Sequence, residues 1–204
     1  MDLCVDLCSG TGGFSQAFRE AGWEVVTVDN DPDFQPTICA DVRTLKVGEI
    51  ERATSLGNFR AYRKVVALAA PPCQRFSIAM PRWPQSGIRE ALEIVGACLE
   101  LIIEIAPDAW LMENPKGRLR WFLGAPPNSV KQGDYGRTTS IQGGKNRRPY
   151  KPTDLWGNVP FGMVPASKVL NVVRGSTGFT KESRAARSAI PIGLSRAILK
   201  AVET

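Results

Sequence analysis

Three short apolar runs, LCVDLC (3–8), EVVTVD (24–29) and KVVALAA (64–70), alternate with segments of helical spacing, and this alternation narrows the fold more than any other feature. Apolar runs of four to eight residues between turn signals read as buried strands. GGFSQAFREAGW, between the first two runs, reads as a helix. Residues 88–106 give the clearest helix: Ile88, Leu92, Val95, Leu99, Ile102 and Ala106 recur on one stripe, with Glu90, Glu93, Glu100 and Glu104 in other directions. AWLME (109–113) follows as a short strand that ends in an acid. The pattern predicts an α/β fold, a mostly parallel sheet with helices on both faces. Ligands of such sheets bind beyond the carboxyl ends of the strands, which singles out the residues that follow each run.

From Lys116 the pattern changes to Gly-, Pro- and Arg-rich sequence with isolated aromatics, which predicts turns and short strands. SAIPIGLSRAILKAV (188–202) recovers a helix: Ser188 can cap it, Pro191 suits the first turn, and Leu194, Ile198, Ala201 and Val202 form a stripe. There is no internal repeat and no low-complexity tract. The expected organisation is one domain over 1–204: a core (1–115), a basic, turn-rich region facing nucleic acid (116–187) and a returning helix (188–204). Trp121, Phe122 and Trp156 are expected to complete the core, the alternative being a surface where aromatics among the arginines stack on the bases of a nucleic acid.

Charge divides the chain along the same line. Residues 1–115 carry ten basic and sixteen acidic side chains, a net of −6; residues 116–204 carry sixteen basic and four acidic, a net of +12. A basic half of this size is the footprint of a polyanionic partner. With 43% hydrophobic residues and no apolar run of bilayer length, no membrane segment is expected. The five cysteines contain no CxxC pair and predict reduced thiols in a cytoplasmic protein. Histidine is absent, which excludes Ser-His and Cys-His dyads and His-ligated metal, and no clustered cysteines offer a thiolate metal site. Chemistry is left to Cys, Asp, Glu, Lys, Arg or Tyr.

Three sites after strands carry such chemistry. DLCSGTGGF (6–14) puts Gly10, Gly12 and Gly13 between a strand and a helix, where the backbone can approach a ligand. Asp29 ends the second strand, placed to accept hydrogen bonds from both ribose hydroxyls of an adenosine cofactor. Cys73 follows KVVALAA in a Pro-Pro-Cys-Gln-Arg corner that fixes the turn and exposes the thiol, whereas Cys4 and Cys98 lie among apolar neighbours and are expected to be inert. Glu113 ends the next strand, so thiol and carboxyl are expected to face one cleft.

In this order, DLCSGTGGFS, VDND, AD (40–41), PPCQRFS and ENP resemble the cytosine carbon-5 DNA methyltransferases, and SAIPIGLSRAI is similar to that family's last motif. The resemblance implies a Rossmann-like class I methyltransferase fold, S-adenosylmethionine as cofactor, and double-stranded DNA as partner, with no metal. It implies that Asp6, Cys8, Ser9, Gly10, Thr11, Gly12 and Gly13 form the cofactor turn, with Asp29 and Asn30 at the ribose, Asp41 and Val42 at the adenine, and Pro71 beside them. Cys73 would be the nucleophile that adds to carbon 6 of a flipped-out cytosine, and Glu113 the acid on the base edge. Gln74 would shape the loop and Asn114 would support Glu113. Arg75, Arg82, Arg137, Arg147, Arg148 and Lys151 are the candidate nucleic-acid contacts, and PRWPQSG (81–87) the candidate closing loop.

The chain departs from the family pattern in four places. Cys8 replaces an aromatic; no Gln-x-Arg-x-Arg signature is visible; YKPTDLWGN (150–158) is similar to short phage or prophage members; and the interval from Trp156 to Ser188 is short for a target-recognition domain. An accessory protein for target recognition is therefore among the expected partners. Two alternatives stay open at this point: methylation of cytosine in tRNA, and a DNA-binding paralogue without turnover.

Overall fold

The computed structural model describes residues 1–77, 86–136, 139–140, 146–147, 152–159 and 189–204. The strands are β1 (Asp2–Leu7), β2 (Glu24–Asp29), β3 (Ile38–Cys39), β4 (Lys64–Ala69), β5 (Ala109–Pro115), β6 (Asn128–Lys131), β7 (Thr139–Ser140), β8 (Asn146–Arg147) and β9 (Pro152–Gly157). The helices are α1 (Gln16–Glu20), α2 (Val47–Ala53), α3 (Ile88–Ile105), α4 (Arg120–Leu123) and α5 (Ile192–Glu203).

Seven strands form one sheet in the order β3-β2-β1-β4-β5-β9-β6, and β7 and β8 pair separately. The pairs from β3 through β5 are parallel, whereas β9 runs antiparallel between β5 and β6. The α/β expectation holds, and the antiparallel strand lies in the Gly- and Arg-rich part of the sequence. β1 is central, with a parallel neighbour on each edge and a helix-covered core on each face, and all six of its residues are buried. Leu3, Val5 and Leu7 pack into the core beneath α2 and α3; Cys4 packs into the opposite core with Phe18 of α1 and Leu194, Ile198 and Val202 of α5.

Sequence spacing puts Ile88, Leu92 and Leu99 on the buried stripe of α3. In the structure they only flank it, and Ala91, Val95, Cys98, Leu101, Ile102 and Ile105 are buried. The buried face is centred on Ala91, Cys98 and Ile102 and takes in Leu101 and Ile105, which leaves Leu92 and Leu99 at its edge. Ala106, expected on the stripe, is the exposed left-handed residue that ends the helix (φ +49). Pro191 stands before α5 rather than in its first turn, and Ser188 lies outside the described residues. Ser195 binds α5 to α1: its hydroxyl donates to the Phe14 carbonyl at 2.6 Å and accepts from the Ala17 amide at 3.0 Å.

Of the three aromatics expected in the core, only Trp156 is there; Trp121 is 73% exposed and Phe122 45% exposed. The α4 turn that carries them is held by a buried ion pair instead. Arg120 donates to both oxygens of the fully buried Asp154, each at 2.5 Å, and the Ser129 hydroxyl donates to the same carboxylate at 2.7 Å. A half-satisfied carboxylate in that position is strongly unfavourable. Arg120→Leu is therefore expected to lower stability by about 3 kcal/mol in urea unfolding, and the double change Arg120→Leu/Asp154→Leu to recover part of that loss.

Candidate active site

The sheet reverses its winding between β1 and β4: from β1 the chain proceeds outward to β2 and β3, and from β4 to β5. Connections leave these two strand ends in opposite directions, so the space beyond them stays open. There the structure has a cleft of about 750 Å³ lined by residues that follow four strands, among them Gly10 and Thr11 after β1, Asp29 of β2, Cys73 after β4 and Glu113 of β5.

The turn after β1 is held from below and from the side. The Ser9 amide donates to Val28 O at 3.0 Å. Gly10 and Asp31 donate their amides to the two oxygens of Asp29, at 2.8 and 2.9 Å, so the Asp29 carboxylate is fixed at the mouth of the cleft. A Cβ on Gly13 would lie 2.7 Å from the Ile190 carbonyl, so only glycine lets the segment before α5 close over the turn. Through that approach Ala189 and Ile190 become part of the cleft wall. Asp6 lies beneath the turn and is fully buried; Ser15 Oγ donates to one of its oxygens at 2.6 Å, and the other has no hydrogen-bond partner. Burial pushes its pKa up to about 7.

The Cys73 corner is braced at both ends. The amides of Phe76 and Ser77 donate to the Cys73 carbonyl at 3.0 and 3.1 Å, and Phe76 is buried as an anchor. Arg118 donates its amide to Phe76 O and its guanidinium to Ser77 O, both at 2.8 Å. Gly117 passes so close that a Cβ there would be 2.4 Å from Phe76 O. The buried Asn114 amide donates to Pro71 O at 3.0 Å. The thiol itself is half-buried. Burial pushes the Cys4 thiol well up, and Cys8 is held well up by its contact with Cys98 (Sγ–Sγ 3.9 Å) and by burial; neither is a ready thiolate.

Glu113 is buried on the face of β5 opposite Asn114. Gln132 Nε2, on the turn after β6, donates to Glu113 Oε1 at 3.2 Å and to Thr153 Oγ1 of β9 at 2.9 Å. Gln132 is fully buried and was invisible to sequence reasoning, because a lone Gln in a turn-rich stretch has no pattern. Phe34 and Ile190 also line the cleft and were not among the expected site residues.

Of the expected cofactor residues, Cys8, Ser9, Gly10, Thr11, Gly13, Asp29, Asn30 and Pro71 line the cleft, as do Cys73, Gln74 and Glu113. Asp41 and Val42 do not. Arg43 takes both oxygens of Asp41, the nearest at 2.5 Å, and holds that carboxyl below its usual range, while Val42 is buried in the core with α2 and α3. Asp6 and Gly12 support the turn from outside the cleft; the Gly12 amide donates to Ser9 O at 2.9 Å. Asn114 braces the Cys73 corner rather than Glu113. Arg75 is exposed, packs against Gly87 and does not line the cleft. The side chains of Arg82, Arg137, Arg147, Arg148 and Lys151 lie outside the described residues, as does most of the expected closing loop. Among the described residues no cluster of His, Cys, Asp or Glu could hold a metal ion, and no helix is long and apolar enough to cross a membrane.

A family model described as C-5 cytosine-specific DNA methylase matches residues 3–120. The chain belongs to this family. Among its methylase relatives, the Type II methyltransferase M.HgiGI of Herpetosiphon aurantiacus is 31% identical over 115 residues, covering 54% of this chain and 87% of the relative. M.AquIA of Picosynechococcus is 28% identical over 131 residues, covering 59% of this chain and 51% of the relative. A solved structure described as a DNA modification methyltransferase encoded within an E. coli prophage shares the fold, with a TM-score of 0.53 and 22% identity over 77% of this chain and 46% of that one. The chain thus spans about half the length of M.AquIA and of the prophage protein.

The buried Asp6 gives this methylase a pH signature. Its carboxyl keeps a proton in the folded state up to about pH 7, whereas in the unfolded chain it ionises near 4. Folding between these values takes up a proton, so stability falls as pH rises from about 4 to about 7 and is level above. Relative to Asp6→Asn, the wild-type chain is expected to lose at most about 4 kcal/mol over that window in pH-resolved urea unfolding.

Proposed function

We propose that the chain transfers a methyl group from S-adenosylmethionine to carbon 5 of cytosine in DNA, with Cys73 bonded covalently to carbon 6 of a base turned out of the duplex. One observation carries this reading: Cys73 and Glu113 line the same cleft as Asp29 and as Gly10, Thr11 and Gly13 of the turn after β1. The residues fit the cofactor. Each Asp29 oxygen accepts one amide hydrogen and keeps capacity for a ribose hydroxyl, and a cleft of about 750 Å³ is in the range that holds a nucleoside-sized ligand. When bound, the cofactor supplies a methyl group on a positively charged sulfur.

The rest is done by the chain. Carbon 5 of cytosine is too weak a nucleophile to accept a methyl group unaided. The Cys73 thiolate adds to carbon 6 and pushes electron density onto carbon 5. Glu113, which meets the base at ring nitrogen 3, shares a proton there and stabilises the charge that develops in the ring. Once carbon 5 carries the methyl group, water in the open cleft takes the carbon 5 proton, the carbon 5–carbon 6 double bond re-forms, and the carbon 6–sulfur bond breaks to return the Cys73 thiolate. Extruding the base costs a few kcal/mol of stacking and pairing, which phosphate contacts from the basic half (net +12) help offset. The description of the matching family, a C-5 cytosine-specific DNA methylase, favours DNA over RNA as the substrate.

Incubation with duplex DNA and labelled S-adenosylmethionine is expected to give 5-methylcytosine. Cys73→Ala should lower the transfer by more than about a thousandfold while cofactor binding by calorimetry stays within about twofold. A product methylated elsewhere on the base, or undiminished transfer by Cys73→Ala, defeats the reading.

A further inference from the structure

The acid in the cleft has a partner that the reaction scheme does not use. Gln132 reaches Glu113 across the antiparallel strand: Glu113 is on β5, Thr153 on β9 between β5 and β6, and Gln132 on the turn that follows β6. Thr153 is aligned with Pro115 and Leu155 with Glu113, so Thr153 and Glu113 lie on the same face of the sheet. A carboxamide nitrogen has two hydrogens, and here one goes to Glu113 Oε1 and the other to Thr153 Oγ1. The threonine thereby fixes the direction in which the amide meets the acid. All three side chains are buried, Gln132 and Thr153 completely.

We propose that Gln132 is a positioning residue for Glu113, which sets the acid's orientation in the cleft through a neutral donor anchored on Thr153. The inference rests on the reading of Glu113 as the residue that meets the base. A guanidinium in this place would hold Glu113 ionised, whereas an amide orients the carboxyl and still lets it carry a proton. A side chain with three methylene or carbonyl carbons is also entropically expensive to order in a buried site, and a fully satisfied hydrogen-bonding pair offsets that expense. The other titratable groups along the cleft are Cys8, Asp29, Asp31 and Cys73. Asp154, one position away on β9, lies on the other face of the sheet with Arg120.

The test compares Gln132→Met, which keeps the length and loses the donor, in the wild-type and Glu113→Gln backgrounds. In the wild-type background kcat is expected to fall about thirtyfold, with KM for S-adenosylmethionine within about twofold. In the Glu113→Gln background the same change should cost less than about threefold, because the group being positioned is gone. Independently of activity, carboxyl-labelled protein gives the Glu113 titration by carbon-13 NMR, assigned by its loss in Glu113→Gln. Removing a donor that favours the anion should raise that midpoint by about one unit in Gln132→Met. Thr153→Val, which frees the amide to turn, should raise it by less, and this second variant decides the matter should Gln132→Met fold poorly. Equal losses of kcat in the two backgrounds, or a Glu113 midpoint that neither variant moves, overturns the inference. If wild-type protein methylates no DNA, the titration still decides for or against Gln132 while the catalytic reading falls by itself.

Discussion

The pairing of β1 with β4 is the constraint on which the rest of the structure depends. The two strands run parallel in continuous register from Asp2 opposite Lys64 to Leu7 opposite Ala69. They are distant in sequence, and their connections depart to opposite halves of the sheet. Nothing else in a doubly wound sheet leaves two adjacent carboxyl ends uncovered. The turn after β1 and the Pro-Pro-Cys corner after β4 therefore face one cleft as a consequence of strand order, before any side chain contributes. Asp29 and Glu113 enter the same cleft because β2 and β5 flank this pair. Slipping β1 by one residue would turn Asp6 to the face of α2 and α3 and Leu3, Val5 and Leu7 to the other, so core packing holds the register of the site.

A site placed at buried strand ends must accommodate polar groups that water does not reach. Asp6, Glu113, Asn114, Gln132 and Thr153 are all buried within or beside it. Most of their capacity is met internally: Ser15 serves Asp6, Gln132 serves Glu113 and Thr153, and Asn114 serves the Pro71 carbonyl. The exceptions are one oxygen of Asp6 and one of Asn114. Both belong to residues that support the turn and the corner from behind, and a buried unmet acceptor is unfavourable by roughly 1–3 kcal/mol. For Asp6 the structure has a second way out, since a carboxyl that holds its proton to about pH 7 avoids burying a charge. Rigid backing of a loop against a polar cleft thus draws on stability that the two large apolar cores supply.

The first half of the chain was legible because each of its elements has a local signature. Apolar runs marked β1, β2 and β4, and their ends located Gly10, Asp29 and Cys73 without any knowledge of strand order. Errors arose where a tertiary contact overrode the local pattern. The buried face of α3 is centred on Ala91, Cys98 and Ile102, with Leu101 and Ile105 packed into the core and Leu92 and Leu99 left at its edge. Asp41, expected at a ligand, does not line the cleft; Arg43, two residues on, holds its carboxylate in a local ion pair at 2.5 Å, and such a pair has no apolar period to betray it. Trp121 and Phe122 read as core from composition alone; the buried Arg120–Asp154 pair holds their turn in place and leaves both aromatics at the surface.

Beyond Lys116 the same reasoning loses its footing for a physical cause. Antiparallel β9 is inserted between β5 and β6, so the partners of each residue are set by pairings across the sheet rather than by spacing along the chain. That insertion brings a glutamine and a threonine from unrelated stretches to a carboxyl whose own position was clear from the end of AWLME. The thiol corner is specified by consecutive residues, Pro71 through Ser77, and is correspondingly readable. The environment of the acid is specified by three strands, and its hydrogen bonding depends on which donor the turn after the farthest of them delivers. Under the proposed reaction, a neutral amide at that position leaves Glu113 able to hold or release a proton as the base requires, and the part of the site least visible in the sequence is then the part that tunes its chemistry.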